Sequence, residues 1–345
     1  MINAMQHIGL GVWDVDKTYG FYKRFFGYKV KLNDLTVASK EMEPVVGSVE
    51  TMRMMMAANP KGGGIIELIE HKSSPIRPFP EDGRYGFYGV LEAGYGVRQI
   101  DRVAADMKAA GVPFLTPVCE QDLGGGRKWR FAYVQDPDGF PLQLTEEIGS
   151  GAQSRGGAKP AVLGLCHIGL GVSDLERSKA FYRNALGFDR VLYAVEGEMP
   201  EMEPVAGGPL RAKMAILERS QPASGPLGSL LPRGVLKLFE VKESRGRHAY
   251  KGRRWGDIGC MEFCMDVTDL PAVVADMKAK GIPIYLPPVE VNMGSGSKGM
   301  VAYVRDPDGS IVEFVEAKSI AWLGPRLFMA LAMPLLKLYD RLSGG

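Results

Sequence analysis

Seven residues near the start of this chain, Gln6-His7-Ile8-Gly9-Leu10-Gly11-Val12, return as Cys166-His167-Ile168-Gly169-Leu170-Gly171-Val172. Internal repetition constrains a fold more tightly than composition does, because each copy must build the same supersecondary unit. The two copies stay in step. Each is followed by an acidic turn, a helix carrying Phe21-Tyr22 or Phe181-Tyr182, and a closing glycine, Gly27 or Gly187. Further on, Glu41-Met42-Glu43-Pro44-Val45 faces Glu201-Met202-Glu203-Pro204-Val205, and Ala105-Asp106-Met107-Lys108-Ala109 faces Ala275-Asp276-Met277-Lys278-Ala279. Ala132-Tyr133-Val134-Gln135-Asp136-Pro137-Asp138-Gly139 faces Ala302-Tyr303-Val304-Arg305-Asp306-Pro307-Asp308-Gly309. The second copy is longer by about ten residues near Ser220 to Pro232, rich in Ser, Gly and Pro, which reads as a longer loop.

Within each half, a strand–helix–strands order occurs twice. Residues 5–12 alternate as a strand. Asp14 is placed to cap a helix whose apolar face holds Val15, Tyr19, Tyr22 and Phe26. Strand-like runs follow near 28–36, 50–58 and 64–70. A second round has a strand near 88–95, a helix near 98–110 stopped by Gly111, and strands near 113–117, 129–135 and 140–146. In the second half Asp269 is the matching cap, with Pro271 in the first helical turn. The chain therefore reads as α+β, four βαβββ units in two homologous halves, 1–148 and 161–318, with a Gly/Ser/Ala linker over 149–160.

With 46% hydrophobic and 24% charged residues, the chain has the make-up of a soluble globular protein. A net charge of +2 and the lack of any basic run speak against nucleic acid as a partner. The four cysteines form no CxxC pair and no secretory segment is present, so reduced thiols and a cytoplasmic location are expected. The apolar run from Leu327 to Leu336 is too short to span a bilayer and contains Pro334.

The element order, the His-Ile-Gly-Leu-x-Val strand, the Phe-Tyr…Gly helix and the Asp-Pro-Asp-Gly turn together resemble the vicinal oxygen chelate superfamily. That group includes glyoxalase I, methylmalonyl-CoA epimerase, extradiol dioxygenases and fosfomycin-resistance proteins, so the resemblance speaks for fold more than for reaction. It implies paired βαβββ units forming glyoxalase-like cups of mixed sheet around one divalent metal, over roughly residues 1–318. Carried over position by position, it implies His7, Glu67, Glu92 and Gln143 as ligands in the first half. In the second half it implies His167, Lys237, Glu262 and Glu313.

The residues themselves support a metal independently. Glu67 lies among Ile65, Ile66, Leu68 and Ile69, and Glu313 among Ile311, Val312, Phe314 and Val315. A carboxylate in a strand apolar on both faces costs several kcal/mol to bury, on the order expected for an uncompensated charge, unless a cation or donors compensate it. Histidine nitrogen with carboxylate oxygen suits Mn, Fe, Ni, Co or Zn. Glu92, flanked by Ala93 and Gly94, also fits a strand position that faces solvent. Lys237 cannot ligate a metal; its ammonium either takes the ion's place beside a carboxylate or snorkels to the surface.

Which units pair is open. If each half closes on itself, the working set is His7, Glu67, Glu92 and Gln143. If units exchange between halves, His7 and Glu67 join Glu262 and Glu313, and Lys237 falls with His167, Glu92 and Gln143. Exchange gathers both departures from the ligand pattern, Lys237 and Gln143, into one cup, and is narrowly preferred. A third arrangement is an extradiol-like triad of His167, Glu262 and Glu313.

Glu67 or Glu262, weakly held, is the candidate catalytic base of a metal-dependent glyoxalase, epimerase or lyase acting on a small organic carbonyl compound. The alternatives are a ring-cleaving dioxygenase of a catechol and a non-catalytic binding protein. Arg127, Trp129 and Arg130, after the glycines at 124–126, are candidate substrate contacts beside a cup mouth. The Glu-Met-Glu-Pro-Val segments read as connections or lids, and Tyr85, Tyr88 and Trp255 as core or pocket lining. Cys260, Glu262 and Cys264 should share one strand face by alternation. Residues 319–345 form an apolar helix expected to pack on the body, on a partner subunit as a homodimer contact, or on a membrane surface.

Overall fold

The computed structural model describes the chain except residues 39, 41, 81–84, 150–160, 245, 295 and 343–345. The linker expected over 149–160 thus lies, beyond Gly149, outside the described residues. The first unit comprises β1 (Ile2–Gly11), α1 (Val15–Phe26), β2 (Val30–Ala38), the single turn α2 (Glu43–Val46), β3 (Thr51–Ala58) and β4 (Ile65–His71). The second comprises β5 (Gly89–Arg98), α3 (Ile100–Ala109), β6 (Cys119–Gly124), β7 (Arg127–Gln135) and β8 (Pro141–Gly149). The third has β9 (Ala161–Gly171), α4 (Leu175–Leu186), β10 (Arg190–Glu198), α5 (Glu203–Ala206), β11 (Arg211–Glu218) and β12 (Val235–Val241). The fourth has β13 (Gly259–Val267), α6 (Leu270–Ala279), β14 (Ile284–Gly294), β15 (Ser297–Arg305) and β16 (Ile311–Ser319), and α7 (Pro325–Leu342) follows.

Helix ends form where side chains satisfy the free backbone groups. Asp14 accepts from the Lys17 amide at 2.9 Å, and Asp174 from Arg177 at 2.9 Å. Both helices stop at a glycine in the left-handed region, Gly27 (φ 76°) and Gly187 (φ 77°). Asp269 caps α6 through the Ala272 amide at 3.2 Å. The Asp-Pro-Asp-Gly turns tie the units together. Asp136 accepts from the Tyr22 hydroxyl at 3.0 Å and Asp306 from Tyr182 at 2.7 Å, which explains why Phe-Tyr and Asp-Pro-Asp-Gly recur together.

Two eight-stranded mixed sheets result, in the orders β14-β15-β16-β13-β1-β4-β3-β2 and β10-β11-β12-β9-β5-β8-β7-β6. The first unit is thus joined to the fourth, through antiparallel β1 and β13, and the second to the third, through antiparallel β5 and β9. We call these the outer and the inner cup. The units exchange between the halves of the chain. The helix-side apolar core, including Tyr22, Phe26, Tyr95, Tyr182 and Phe263, takes side chains from both sheets and from α1 and α4.

Two local expectations change. The strand expected near 113–117 begins at Cys119 instead; Pro113 and Pro117 lack amide hydrogens, and the segment contributes only an isolated bridge, Phe114 to Val134. Cys260 does not share a face with Glu262 and Cys264. The β1–β13 register skips Met261 between Gly9 and Leu10, and this bulge turns Cys260 into the helix-side core while Cys264 stays on the cup side. Helix α7 buries Met329 but leaves Leu327, Leu331, Leu335 and Leu338 exposed. Among the described residues, no helix is long and apolar enough to cross a membrane.

Candidate metal centre

Four neighbouring strands of the outer cup each carry one candidate ligand: Glu313 on β16, Glu262 on β13, His7 on β1 and Glu67 on β4. Register brings them together. Gly9 stands opposite Glu262 on one side and Glu67 on the other, two residues after His7 and on the same face. A Cβ on Gly9 would lie 2.9 Å from Glu262 Oε1 and 3.4 Å from Glu67 Oε2, so both carboxylates lean across bare backbone. His7 Nε2 is 3.2 Å from Glu313 Oε2 and 3.7 Å from Glu67 Oε2. All four residues are buried.

A relay fixes the histidine tautomer. Asp266 accepts from Asn3 Nδ2 at 2.8 Å and from Gln6 Nε2 at 3.1 Å. The Gln6 amide therefore turns its oxygen to His7 Nδ1, 3.0 Å away. Only a protonated Nδ1 satisfies that oxygen, so Nε2 is the ring nitrogen that faces the carboxylates and is the one available to an ion. Glu313 is held by the Tyr303 hydroxyl, which donates to Oε1 at 2.7 Å.

Three carboxylates outnumber the one histidine that faces them. Among the described residues, His7 Nε2, both oxygens of Glu262 and Glu313 Oε2 are buried and make no hydrogen bond. Burial, then the charges of Glu313 and Glu67, push the Glu262 carboxyl well above the usual carboxylate range. Burial acts to lower the His7 pKa, yet Cys264, Glu313 and Glu67 hold it well above its ordinary value. One imidazole nitrogen and three carboxylates converging on one buried point fit a divalent ion, and His7, Glu67 and Glu262 have ligand atoms within 4.8 Å of one another. Cys264 lies close enough to His7 and Glu313 to form a second such group.

The inner cup solves the same problem differently. Lys237 takes the register position of Glu67, opposite Gly169, and Glu92 that of Glu262. Glu92 does not face solvent; it is fully buried. Lys237 is 2% exposed, so it does not snorkel. Its Nζ donates to Tyr133 Oη at 3.0 Å, Glu92 Oε1 at 3.2 Å and Gln143 Oε1 at 3.4 Å. Tyr133 and Tyr85 both donate to Glu92 Oε2, and His167 Nε2 lies 3.5 Å from Glu92 Oε1. Burial would raise the Glu92 pKa, but Lys237 and His167 bring it down to about 2. Cys166 stands where the outer cup has Gln6, so no amide orients His167.

This division fixes where two expected groups stand. His167 lies in the inner cup and Glu262 and Glu313 in the outer one, so the extradiol-like triad is not assembled. Arg127, Trp129 and Arg130 sit on β7 of the inner sheet, away from His7. Arg127 pairs with Glu147 and Arg130 with Asp101 on α3, while Trp129 stacks on the His167 ring at 5.6 Å. Of the aromatic residues singled out in the sequence, Trp255 lines the outer cavity and Tyr85 serves Glu92. Tyr88 accepts from Ser244. The parts that sequence reasoning missed are Gln6, Gly9, Tyr303 and Asp266. Tyr303 carried a signal, since it opposes Glu313 in register and repeats as Tyr133 opposite Gln143.

Two family models describe most of the chain, over residues 6–133 and 164–314, both of the Glyoxalase/Bleomycin resistance protein/Dioxygenase superfamily. The chain belongs to this superfamily. It is a tandem member, and the solved glyoxalase I of Zea mays shares its fold, with a TM-score of 0.52 at 20% identity over 91% of this chain and 92% of that one. A Bacillus subtilis protein assigned as a dioxygenase matches with a TM-score of 0.53 at 12% identity, over 99% and 96%. No curated protein matches the chain.

Proposed function

We propose that the outer cup is the reactive site of a metal-dependent enzyme of glyoxalase, epimerase or lyase type, acting on a small organic carbonyl compound. The observation that carries this reading is the set of buried, unpartnered ligand atoms on His7, Glu262 and Glu313. His7, Glu67, Glu262 and Glu313 would hold the ion, and Mn, Fe, Ni, Co and Zn all suit them. Such an ion supplies Lewis-acid stabilisation of charge developing on a carbonyl or enediolate oxygen.

The remaining work falls to the chain. Gln6 and Asp266 hold His7 in one tautomer, and Tyr303 fixes Glu313. Glu67 reaches the cavity that a substrate would enter, whereas Glu262 is covered beneath it. Glu67 is therefore the acceptor for a proton leaving the carbon beside the carbonyl. The apolar walls exclude bulk water, which protects a carbanionic charge from quenching. In the inner cup the Lys237 ammonium stands in for the metal, so that cup is structural.

Inorganic analysis after incubation with Mn(II) tests the site. One ion per chain is expected, and none in His7→Ala. Retained stoichiometric metal in that variant would overturn the assignment. With metal bound, exchange of the α-hydrogen of a hydroxyketone in deuterated water is expected and should vanish in Glu67→Gln. Metal binding without any such turnover would support a sequestering protein instead.

A further inference from the structure

The outer cup opens into a cavity of about 420 Å³, within the range of small-molecule sites. Its walls carry four methionines, Met42, Met54, Met56 and Met293, with Leu35 and Val37. The polar side chains on these walls are already committed. Asn33 donates to the Met293 carbonyl at 3.2 Å and accepts from the Met56 amide at 2.9 Å, which straps β2 to β3 and to β14 across the mouth. Asn292 Oδ1 accepts from the Gly294 amide at 3.0 Å.

The charges are one-sided. Among the described residues that line the cavity there is no lysine or arginine; the floor has His7, Glu67 and Glu313, and the exposed rim has Glu290. Two neighbouring cations are held elsewhere: Arg53 by Asp16 and Asp34, and Arg254 by Glu50 and the Pro75 carbonyl. Away from the ion site, an anionic group on the compound would lose water, find no lysine or arginine among the lining residues and pass Glu290. One donor does face in: the Trp255 indole N–H is buried, lines the cavity and is directed at Glu262. The matching positions of the inner cup are more tightly covered. Met202 and Met214, the repeat equivalents of Met42 and Met54, are only 2% and 1% exposed in the inner cup.

From this lining we infer that the outer cavity takes an uncharged, largely apolar compound with an oxygen function at one end, and discriminates against anionic compounds of the same size. The apolar body packs among the methionines, whose flexible thioethers adapt to its shape. The oxygen is directed to the floor, beside His7 and the Trp255 N–H. This rests on the outer cup being the reactive site, and adds the class of compound it accepts.

The test uses the full-length protein labelled with methyl-13C methionine, metal-free and zinc-loaded, titrated with 2-hydroxyacetophenone and with its ring-carboxylated analogue. The neutral compound should shift the methyl signals of Met42, Met54, Met56 and Met293, assigned by Met→Leu variants. The carboxylated one should bind more weakly by about tenfold or more, equivalent to at least ~1.4 kcal/mol. Glu290→Lys should narrow that gap. Equal or tighter binding of the carboxylate, or shifts confined to other methionines, would overturn the inference. Failure of the metal reading appears separately, as protein that takes up no zinc, and the metal-free titration still decides what the cavity prefers.

Discussion

Replacing Lys237 with methionine tests the claim that an ammonium does the work of an ion in the inner cup. The substitution keeps most of the volume and removes the charge. Glu92, fully buried, keeps the Tyr133 and Tyr85 hydroxyls but loses its nearest cation, 3.2 Å away. Breaking a buried pair from one side costs about 3–5 kcal/mol, since the remaining charge has no compensation. Two hydroxyl donors and the adjacent His167 favour the lower end, about 3 kcal/mol. For a chain of this size that lowers the Tm by roughly 6 °C, at about 2 °C per kcal/mol. Thermal unfolding followed by tryptophan fluorescence suits the purpose, because Trp129 stacks on His167 inside the cup. Adding Glu92→Gln in the same chain removes the orphaned charge and should restore most of the loss. A single variant within about 1 kcal/mol of the parent, or a double variant less stable than the single, would refute the reasoning.

Other consequences can be checked in the same preparations. Gly9→Ala places a methyl against the ends of Glu262 and Glu67, which can swing aside, so Mn(II) affinity measured by electron paramagnetic resonance should fall while the circular dichroism spectrum is kept. Gln6→Cys gives the outer cup the residue of the inner one and frees the His7 tautomer; loss of such an orienting partner typically weakens metal binding by about 10–100-fold. Because Glu92 is held at about 2, its contribution to stability is complete above the ordinary carboxylate pKa and is lost as pH falls toward 2. Glu92→Gln should flatten the pH dependence of Tm in that acid window.

Much of this architecture can be read from the repeat, because local chemistry specifies it. Asp14, Asp174 and Asp269 cap the helices, and Gly27 and Gly187 end two of them. Unit pairing is harder. β1 has to bury both faces whether its neighbour is β5 or β13, so hydrophobic pattern does not distinguish the two. Lys237 and Gln143 favour exchange only because a buried charge has to be compensated where it stands. Arg127 and Arg130 follow a glycine turn in the sequence, but their partners Glu147 and Asp101 come from β8 and α3, and such pairings depend on tertiary packing. The bulge at Met261 likewise breaks the alternation that puts Cys260 beside Glu262. Gln6 and Asp266, distant in sequence, form a relay that no spacing rule reveals.

The pairing of the first unit with the last has a consequence for biosynthesis. The inner pair can close as soon as β12 leaves the ribosome, and Lys237 lets it do so without waiting for any ion. His7, by contrast, waits for nearly the whole polypeptide before Glu313 exists to meet it. Pulse-labelled hydrogen exchange during refolding should accordingly protect the amides of β5 and β9 before those of β1 and β13, and the reverse order would count against nested assembly.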